Sequence, residues 1–344
     1  MAFFCVQNLK GDKKMKEMLK KWGLFSLIFL FTMGIVAGCG TQEKTAQDEK
    51  AQKTVENVEG ENANQEFPIT IIDSADREVT IDEEPESIVS IQASNTEIAF
   101  ALGLGEKIIG VSDYDNYPSE ALEIQKVGAQ DINAELVLSL LPDLALVTDY
   151  HYNTHPEILK QFEDAGIDVI VVGSASSFED AYEHIEMIGK ATGTATEANE
   201  IVTNMKQRFD EIKEKASAIT DKKKVWVEVS PAPDIFTTGT NTFMHEMLEA
   251  IQAINAAEEH EGWVQLTEEE IVQLNPDVII TTYGYYIDNP TEEVYGREGW
   301  SEVPAVKNKQ VFDVDNDTVT RPGPRLIEGV ETLAKLIYPE VFNK

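Results

Sequence analysis

The residues of this sequence that could do chemistry are mainly imidazoles, carboxylates and phenols, because only two cysteines occur and both precede residue 40. Of the five histidines, only His151 and His155, with Asp149, lie close enough together to suggest a metal site. Zinc and manganese use such ligands, but no further ligand is identifiable in this tyrosine-rich loop. We therefore predict no metal site and treat His151 as a candidate pocket residue.

The sequence contains no standard catalytic motif. G-x-S-x-G, H-E-x-x-H and G-x-x-x-x-G-K-[ST] are all missing, and Gly103, Gly105 and Gly110 have the wrong spacing for a dinucleotide turn. We predict no catalytic residue, no cofactor and no enzymatic activity. A cell-surface α/β hydrolase is the remote alternative, and it would need an exposed serine oriented by a histidine.

Aromatic side chains in loops are the strongest sign of binding. Most of them follow predicted strands, and one precedes a predicted helix. The group consists of Tyr114, Tyr117, Tyr150, Tyr152, Trp263, Tyr283, Tyr285 and Tyr286. Because open α/β sheets bind ligands at the carboxyl ends of their strands, we expect these rings to line an aromatic cleft. The alternative for each ring is that it caps the local core.

The elements that would position these loops form two series. In each series, short β-type runs alternate with helical stretches, which is typical of a βα sandwich. We predict strands at residues 69–72, 88–91, 107–111, 144–147 and 169–172, and again at 225–229, 278–282 and 311–314. The fold class is therefore α/β, with two α/β lobes.

An apolar stripe between the two series predicts a long helix. Its members recur at spacings of three and four: Ala198, Ile201, Val202, Met205, Phe209, Ile212, Ala216 and Ile219. A helix of about six turns would be about 35 Å long, enough to cross from one lobe to the other. The alternative is a helix that packs wholly on one lobe.

Residues 132–148 and 266–282 resemble each other along their whole length. In each copy a helix runs into a Pro-Asp pair, where proline ends the helix and a strand begins. Soon after each strand comes a polar loop with glutamate, Glu157 in the first copy and Glu292 and Glu293 in the second. Such nearly equivalent acidic positions would suit a partner with two-fold symmetry.

The first 38 residues predict an export signal. Lysines between residues 13 and 21 precede a largely apolar run from Trp22 to Gly38. Val36-Ala37-Gly38-Cys39 resembles the lipobox of bacterial lipoproteins, in which the cysteine receives a diacylglyceryl group and becomes the N-terminus. An uncleaved signal anchor is the alternative. We predict lipidation of Cys39, a flexible tether over residues 39–66, and a location on the extracytoplasmic face of the cell membrane.

The net charge restricts the partners of the chain. Its 344 residues include 28 Lys and Arg against 62 Asp and Glu, a formal charge of −34. A field this acidic repels polyanions, so nucleic acid is excluded as a partner.

An ordered set of short motifs runs along the chain. They are Ser94-Asn95-Thr96-Glu97, Tyr117-Pro118, the two Pro-Asp units, Thr238-Gly239, Thr242-Phe243, Gly262-Trp263, Ala305-Val306 and Arg321-Pro-Gly-Pro-Arg325. With this set, the sequence from about Phe67 to the C-terminus resembles the ABC-importer solute-binding proteins that capture iron–siderophores, haem or vitamin B12.

The resemblance implies two lobes joined by one rigid helix, with the ligand held between them, and we expect a monomer. One lobe would be residues 67–176, the bridging region 177–224 and the other lobe 225–344. It also implies docking on an ABC permease dimer, which works with its ATPase subunits. One glutamate per lobe would meet arginines of the permease, namely Glu157 and either Glu292 or Glu293.

The ligand class follows from the few arginines. Within this class of proteins, anionic catecholate siderophores call for clustered arginines, whereas this chain has five in all. Arg321 follows a predicted strand and could face the cleft. One or two arginines with several aromatic rings suit a neutral ligand, so we expect a corrinoid such as cobalamin, or else a ferric hydroxamate. Haem, with His151 as an axial ligand, and a bare Zn or Mn ion are the further alternatives.

Overall fold

A computed structural model of the protein describes residues 66–343. The predicted signal peptide, Cys39 and the predicted tether up to residue 65 lie outside the described residues. Between residues 66 and 343, no helix has the length and apolar character needed to cross a membrane.

The first lobe, called the N-lobe below, contains a hairpin, a parallel sheet and its connecting helices. The antiparallel hairpin is formed by β1 (Ile69–Ile72) and β2 (Glu78–Ile81). The sheet strands are β3 (Ile88–Ser90), β4 (Ile108–Val111), β5 (Leu144–Thr148) and β6 (Asp168–Val172), in the order β4-β3-β5-β6. The helices are α1 (Ala93–Ala101), α2 (Ala134–Leu140), α3 (Asp149–Thr154) and α4 (Pro156–Asp164).

Two helices connect the lobes. The first, α5 (Phe178–Ala191), begins with a capping box between Ser177 and Asp180 and packs on the N-lobe. The second, α6 (Ala195–Ala216), packs along α5 and on the helices of the second lobe. The long predicted helix is therefore present as α6, shifted towards the N-terminus by three residues. The sequence analysis missed α5, although its capping box is a recognisable helix start.

The second lobe, called the C-lobe, repeats the parallel arrangement. Its sheet strands are β7 (Lys224–Glu228), β9 (Ile254–Asn255), β11 (Val278–Thr281) and β12 (Val311–Asp313), in the order β12-β11-β7-β9, and β8 (Phe236–Thr238) pairs with β10 (Trp263–Gln265). Its helices are α7 (Phe243–Ala250), α8 (Glu268–Leu274), α9 (Pro290–Tyr295), α10 (Pro304–Lys307), α11 (Asn316–Thr320), α12 (Leu326–Ile337) and α13 (Pro339–Phe342). The prediction of two α/β lobes is confirmed.

Both sheets bury both faces, and alternate residues of one strand belong to different cores. In β5, Leu144 and Leu146 point to one side, and Ala145 and Val147 to the other. The inner faces of both sheets join a single apolar cluster that also includes residues of α5, α6, α7 and α12. The lobes therefore share one continuous core through the connecting helices.

The internal repeat seen in the sequence has a structural counterpart. The helices α2 and α8, which run into the two Pro-Asp units, both end at a residue in the left-handed conformation, Leu141 and Asn275. The aspartates then accept backbone hydrogen bonds at the start of the first strand of each parallel sheet: Asp143 from Ser87 and Asp277 from Lys224, both at 2.9 Å. Each repeat therefore ties its strand to the same place in its own sheet.

Candidate functional site

The loops at the carboxyl ends of the two sheets meet at Asn116 and Asp317. Asn116 follows β4 of the N-lobe, and Asp317 lies in α11, directly after β12 of the C-lobe. Nδ2 of Asn116 donates a 2.9 Å hydrogen bond to Oδ2 of Asp317. The carboxyl edges of both sheets therefore face each other, and the cleft between them is the place where α/β sheets bind ligands.

A buried aspartate holds the N-lobe loop in place. Asp115 Oδ2 accepts hydrogen bonds from the Thr96 hydroxyl at 2.7 Å and from the Ser112 amide at 3.0 Å. Burial raises the pKa of Asp115, against the opposing effect of these hydrogen bonds. The loop that presents Asn116 and Tyr117 is therefore fixed to the first turns of α1.

A buried ion cluster crosses between the lobes beside this contact. Glu97 of α1 is only 3% exposed, and its Oε2 accepts a 2.7 Å hydrogen bond from Nη2 of Arg325. Nη1 of Arg321 lies 3.6 Å from the same oxygen, and its Nη2 lies 2.9 Å from Oδ1 of Asp317. Asp315 lies 3.7 Å from Arg325. Two guanidinium groups are therefore surrounded by three carboxylates, and the cluster has no excess of positive charge.

Arg325 also covers an aromatic ring. Its Cζ lies 3.7 Å from the centroid of the Tyr117 ring, within the range of a cation–π contact. These two residues line a groove of about 540 Å³ with Phe100 and with Ile201 and Met205 of α6. The helix α6 therefore lines this groove together with residues of both lobes.

The predicted aromatic residues divide into exposed and buried ones. Rings that are at least one third exposed belong to Tyr114, Tyr117, Tyr150, Tyr152, Trp263, Tyr285 and Tyr286. Tyr285 and Tyr286 contact each other edge to face, with centroids 4.7 Å apart. The Tyr152 ring lies 5.4 Å from the Arg77 guanidinium, which holds it against the β1–β2 turn.

Trp263 lies at the edge of a small pocket between the lobes. The pocket has a volume of about 90 Å³ and is lined by Ser176 from the end of the N-lobe and by Thr238, Thr242 and Thr320 from the C-lobe. The buried Thr238 hydroxyl has no hydrogen-bond partner in the described part of the chain. The pocket therefore offers a half-exposed indole ring beside hydroxyl groups, which suits a ligand with both flat and polar parts.

Two predicted ligand-binding residues are structural instead. Tyr283 is fully buried, and its hydroxyl lies 2.7 Å from Glu228. Burial and the charge of Glu228 raise its pKa. The prediction that Tyr283 lines the cleft is wrong, because the buried carboxylate on the neighbouring strand needs a donor.

His151 is the second correction. Its Nδ1 accepts a 3.1 Å hydrogen bond from the amide of Thr148 in a capping box at the start of α3, and its Nε2 lies 2.8 Å from the carbonyl oxygen of Ala129. Burial lowers its pKa. Both ring nitrogens are therefore used by the fold, and His151 is neither a pocket residue nor a haem ligand.

The neighbouring Asp149 and His155 are also engaged in the fold. Asp149 accepts a hydrogen bond from Ser174, and the His155 ring nitrogen Nε2 lies 3.0 Å from the carbonyl oxygen of Gln130. Across residues 66–343, no group of three or more His, Cys, Asp or Glu is arranged to hold a metal ion.

The candidate docking glutamates differ in their surroundings. Glu157 in α4 and Glu292 in α9 are exposed, and neither carboxylate has a partner among residues 66–343. Glu293 instead accepts hydrogen bonds from Arg297, at 3.1 Å from Nε, and lies 3.0 Å from the Tyr283 hydroxyl. Both helices begin with proline, at Pro156 and Pro290, so the internal repeat extends to the first residue of each helix.

The motifs of the sequence analysis come together in two places. The Ser-Asn-Thr-Glu and Arg-Pro-Gly-Pro-Arg motifs meet in the ion cluster through Glu97, Arg321 and Arg325, and Tyr117 lies beside them. The threonine and tryptophan motifs form the pocket at Trp263. The sequence analysis missed Glu97 as a site residue, although its presence in a motif was a usable signal.

Comparisons with known proteins agree with this architecture. Residues 88–318 match the model of the family described as periplasmic binding protein. An uncharacterized ABC transporter substrate-binding lipoprotein of Bacillus subtilis, YvrC, is 46% identical over 329 residues, covering 95% of this chain and 100% of that protein. A cobalamin-binding protein of Halobacterium salinarum is 28% identical, covering 89% of this chain and 84% of that protein.

Solved structures show the same fold. A possible iron-binding periplasmic solute-binding protein of Staphylococcus epidermidis is 36% identical, with a TM-score of 0.66 over 74% of this chain and 100% of that one. The periplasmic vitamin B12 binding protein of Vibrio cholerae is 24% identical, with a TM-score of 0.61 over 76% of this chain and 98% of that one. The second likeness concerns the fold alone.

Proposed function

This chain belongs to the periplasmic binding protein family, and from that premise we propose that it captures a corrinoid and delivers it to an ABC permease. It is an ABC transporter substrate-binding protein of the class that binds iron chelates, vitamin B12 or haem, and not an enzyme.

The choice of a corrinoid as the ligand rests on the charge of the cleft. Arg321 and Arg325 are both paired with Glu97, Asp315 or Asp317, so neither offers a free positive charge to a ligand. A trianionic ferric catecholate, or haem with its two propionates, would have to compete with those carboxylates. A corrinoid has a large, nearly neutral ring system, and the half-exposed Trp263 ring and the threonine hydroxyls beside it would bind it by stacking and hydrogen bonding.

The names of the relatives favour a corrinoid and, as the alternative, an iron chelate. Among them are cobalamin-binding and vitamin B12-binding proteins, which favours a corrinoid. The Staphylococcus epidermidis structure is that of a possible iron-binding protein, which favours an iron chelate. A ferric hydroxamate is the form of iron chelate that fits this cleft, because its charge is close to zero.

For docking, we assign the contacts to Glu157 and Glu292. These two exposed carboxylates lie in equivalent short helices of the two lobes, and arginines of a two-fold symmetric permease would pair with them. Such charge pairs mainly set the rate and orientation of docking. A lipid on Cys39 would hold the protein as a monomer at the extracytoplasmic face of the membrane, within reach of the permease and its ATPase subunits.

Parallel titrations would test the ligand. Quenching of tryptophan fluorescence in the purified protein is measured with cyanocobalamin, a ferric hydroxamate, a ferric catecholate and haemin, with correction for ligand absorbance. Saturable sub-micromolar binding of cyanocobalamin alone is the expected result. Tightest binding of the ferric catecholate would contradict the charge argument, and tightest binding of the hydroxamate would favour the alternative.

Uptake assays would test the docking surface. Glu157→Ala and Glu292→Ala should each lower uptake while leaving ligand affinity unchanged. Glu269→Ala in α8 is the matched control, because Glu269 is an exposed glutamate outside the two docking helices. Unchanged uptake in both docking variants would contradict the assignment.

A further inference from the structure

A buried carboxylate, Glu228, shares hydrogen-bond donors with α9, the docking helix of the C-lobe that carries Glu292. Glu228, the last residue of β7, is fully buried. Its two oxygens receive hydrogen bonds from three side chains: Trp226 Nε1 at 3.1 Å, Tyr283 at 2.7 Å and Arg297 Nη1 at 3.0 Å. A buried carboxylate requires such partners, so this part of the C-lobe is built around the charge of Glu228.

Two of these three donors, Tyr283 and Arg297, also reach α9. Arg297, whose side chain is 5% exposed, also donates to Glu293 of α9, and the Tyr283 hydroxyl lies 3.0 Å from the other oxygen of Glu293. One guanidinium group faces two carboxylates here, and the phenol hydroxyl adds a further donor between them. Because Tyr283 has a single hydroxyl hydrogen, it is shared between Glu228 and Glu293.

Apolar contacts also hold this helix, because Val294 belongs to the C-lobe core cluster and Tyr295 packs against it. The helix α9 has six residues, of which Pro290 and Val294 are buried. The equivalent helix of the N-lobe, α4, has nine residues and is held by the apolar side chains Leu159 and Phe162. Each docking helix therefore has two buried apolar residues, and in α9 the hydrogen bonds of Glu293 add a polar attachment next to Glu292.

We propose that Tyr283, acting with Glu228 and Arg297, is a positioning residue for docking: it fixes Glu293, and thereby presents the neighbouring Glu292 to the permease in one orientation. This inference rests on the proposed docking function of Glu292. It assigns a role in transport to a buried tyrosine that contacts neither ligand nor permease. It also separates Glu293, which holds the helix, from Glu292, which would contact the partner.

Tyr283→Phe is the informative variant, because it removes the hydroxyl and keeps the ring. Tyr338→Phe is the matched control: Tyr338 is also a buried C-lobe tyrosine, and its hydroxyl accepts a hydrogen bond from the amide of Lys223 and donates to the carbonyl of Gln252. The full chain is produced in its own cells in place of the wild-type protein. Uptake of labelled cyanocobalamin is then measured against the amount of binding protein, and ligand affinity is measured with the purified protein.

For Tyr283→Phe we expect at least a fivefold increase in the amount of binding protein that gives half-maximal uptake, with the maximal rate and the ligand affinity within twofold of wild type. Amide hydrogen exchange over residues 290–297 should be at least fivefold faster. Tyr338→Phe should change neither the amount of binding protein that gives half-maximal uptake nor the exchange rate over residues 290–297.

Three outcomes would overturn either the docking assignment of Glu292 or the positioning role of Tyr283. If Glu292→Ala does not alter half-maximal uptake, the docking assignment itself fails. If Glu292→Ala weakens docking but Tyr283→Phe does not, only the positioning role of Tyr283 is overturned. Equal effects of Tyr283→Phe and Tyr338→Phe would show a general loss of stability and would also overturn it. Hydrogen exchange gives an answer that does not depend on the identity of the ligand.

Discussion

Arg325 and Glu97 are 228 residues apart in the sequence, and Nη2 of the first lies 2.7 Å from Oε2 of the second. The pair joins α1 of the N-lobe to the residue that precedes α12 of the C-lobe. Burial alone would lower the pKa of Arg325, but the hydrogen bond and charge of Glu97 raise it on balance. The two walls of the cleft are thus held together by a buried charge pair, independently of any ligand.

Replacing Glu97 with glutamine should destabilise the protein by about 3 kcal/mol, because breaking one side of a buried ion pair leaves the other charge uncompensated. Two guanidinium groups would lose their shared partner. Urea unfolding of the wild type and the variant measures the difference. Glu106→Gln, at an exposed position of the N-lobe, is the control and should stay within about 0.5 kcal/mol. A loss below about 1 kcal/mol for Glu97→Gln would show that the pair is not important for stability.

The Asp317→Asn variant should make the cleft more receptive to anions. Removing this carboxylate leaves Arg321 with Glu97 as its remaining acidic partner at 3.6 Å. We expect the affinity for a ferric catecholate to rise at least fivefold and that for cyanocobalamin to stay within twofold, as measured by isothermal titration calorimetry. Asp288→Asn makes the same charge change at an exposed loop residue after β11. An equal gain in that control would mean that net charge, rather than release of Arg321, is responsible.

Trp263→Ala should weaken binding of the ligand at least tenfold. Its indole ring is 48% exposed at the pocket between the lobes, so a ligand can cover it and gain apolar contact there. Calorimetry is the suitable measurement, because the variant loses a fluorescent residue. Tyr152→Ala removes another exposed aromatic side chain, one held against Arg77, and should change the affinity less than twofold. Similar losses in both variants would argue against a specific role for Trp263.

Stability should fall as the pH drops below about 6.5, the ordinary pKa of histidine. Burial lowers the pKa of His151 and of His184, so the folded protein keeps both rings neutral where the unfolded chain takes up protons. The unfolded state then binds more protons, and the free energy of unfolding decreases with falling pH until the folded-state pKa values are passed. Protonation of His151 Nδ1 would also remove the acceptor for the Thr148 amide.

Urea unfolding between pH 7.5 and pH 5 measures this predicted decrease in the free energy of unfolding. His151→Asn should make the decline with pH shallower, whereas replacement of the exposed His260 by asparagine should leave it unchanged. A decline of the same steepness in His151→Asn and wild type would contradict the assignment.

Much of the fold could be predicted because its strands are short and strongly apolar and its helices have regular stripes. The bounds of β1, β5 and β11 agree with the sequence prediction to within one residue. The hairpin strand β2 was missed, since its sequence Glu-Val-Thr-Ile alternates over only four residues. The short helices α9 to α11 were missed for a related reason: each has four to six residues, too few to show a helical period.

The site was less predictable, because its essential contacts join residues that are distant in the sequence. Tyr283 and Tyr285 stand two residues apart in one aromatic run, yet the first is buried and the second is 75% exposed. Tyr283 is buried because its hydroxyl donates a hydrogen bond to Glu228 on the neighbouring strand. The sequence of the aromatic run contains no sign of this distant carboxylate. In the same way, the pairing of Arg321 with Asp317 and Glu97 depends on how the lobes meet.

The continuous core that runs from one sheet to the other through α5 and α6 has an evolutionary consequence. A lobe excised from this molecule would expose half of that core, so the lobes cannot be exchanged between relatives as independent modules. Substitutions in the loops around Trp263, which is not part of the shared core, disturb that core least and are the simplest route to a new ligand. The architecture can therefore stay constant in a lineage while the cargo changes.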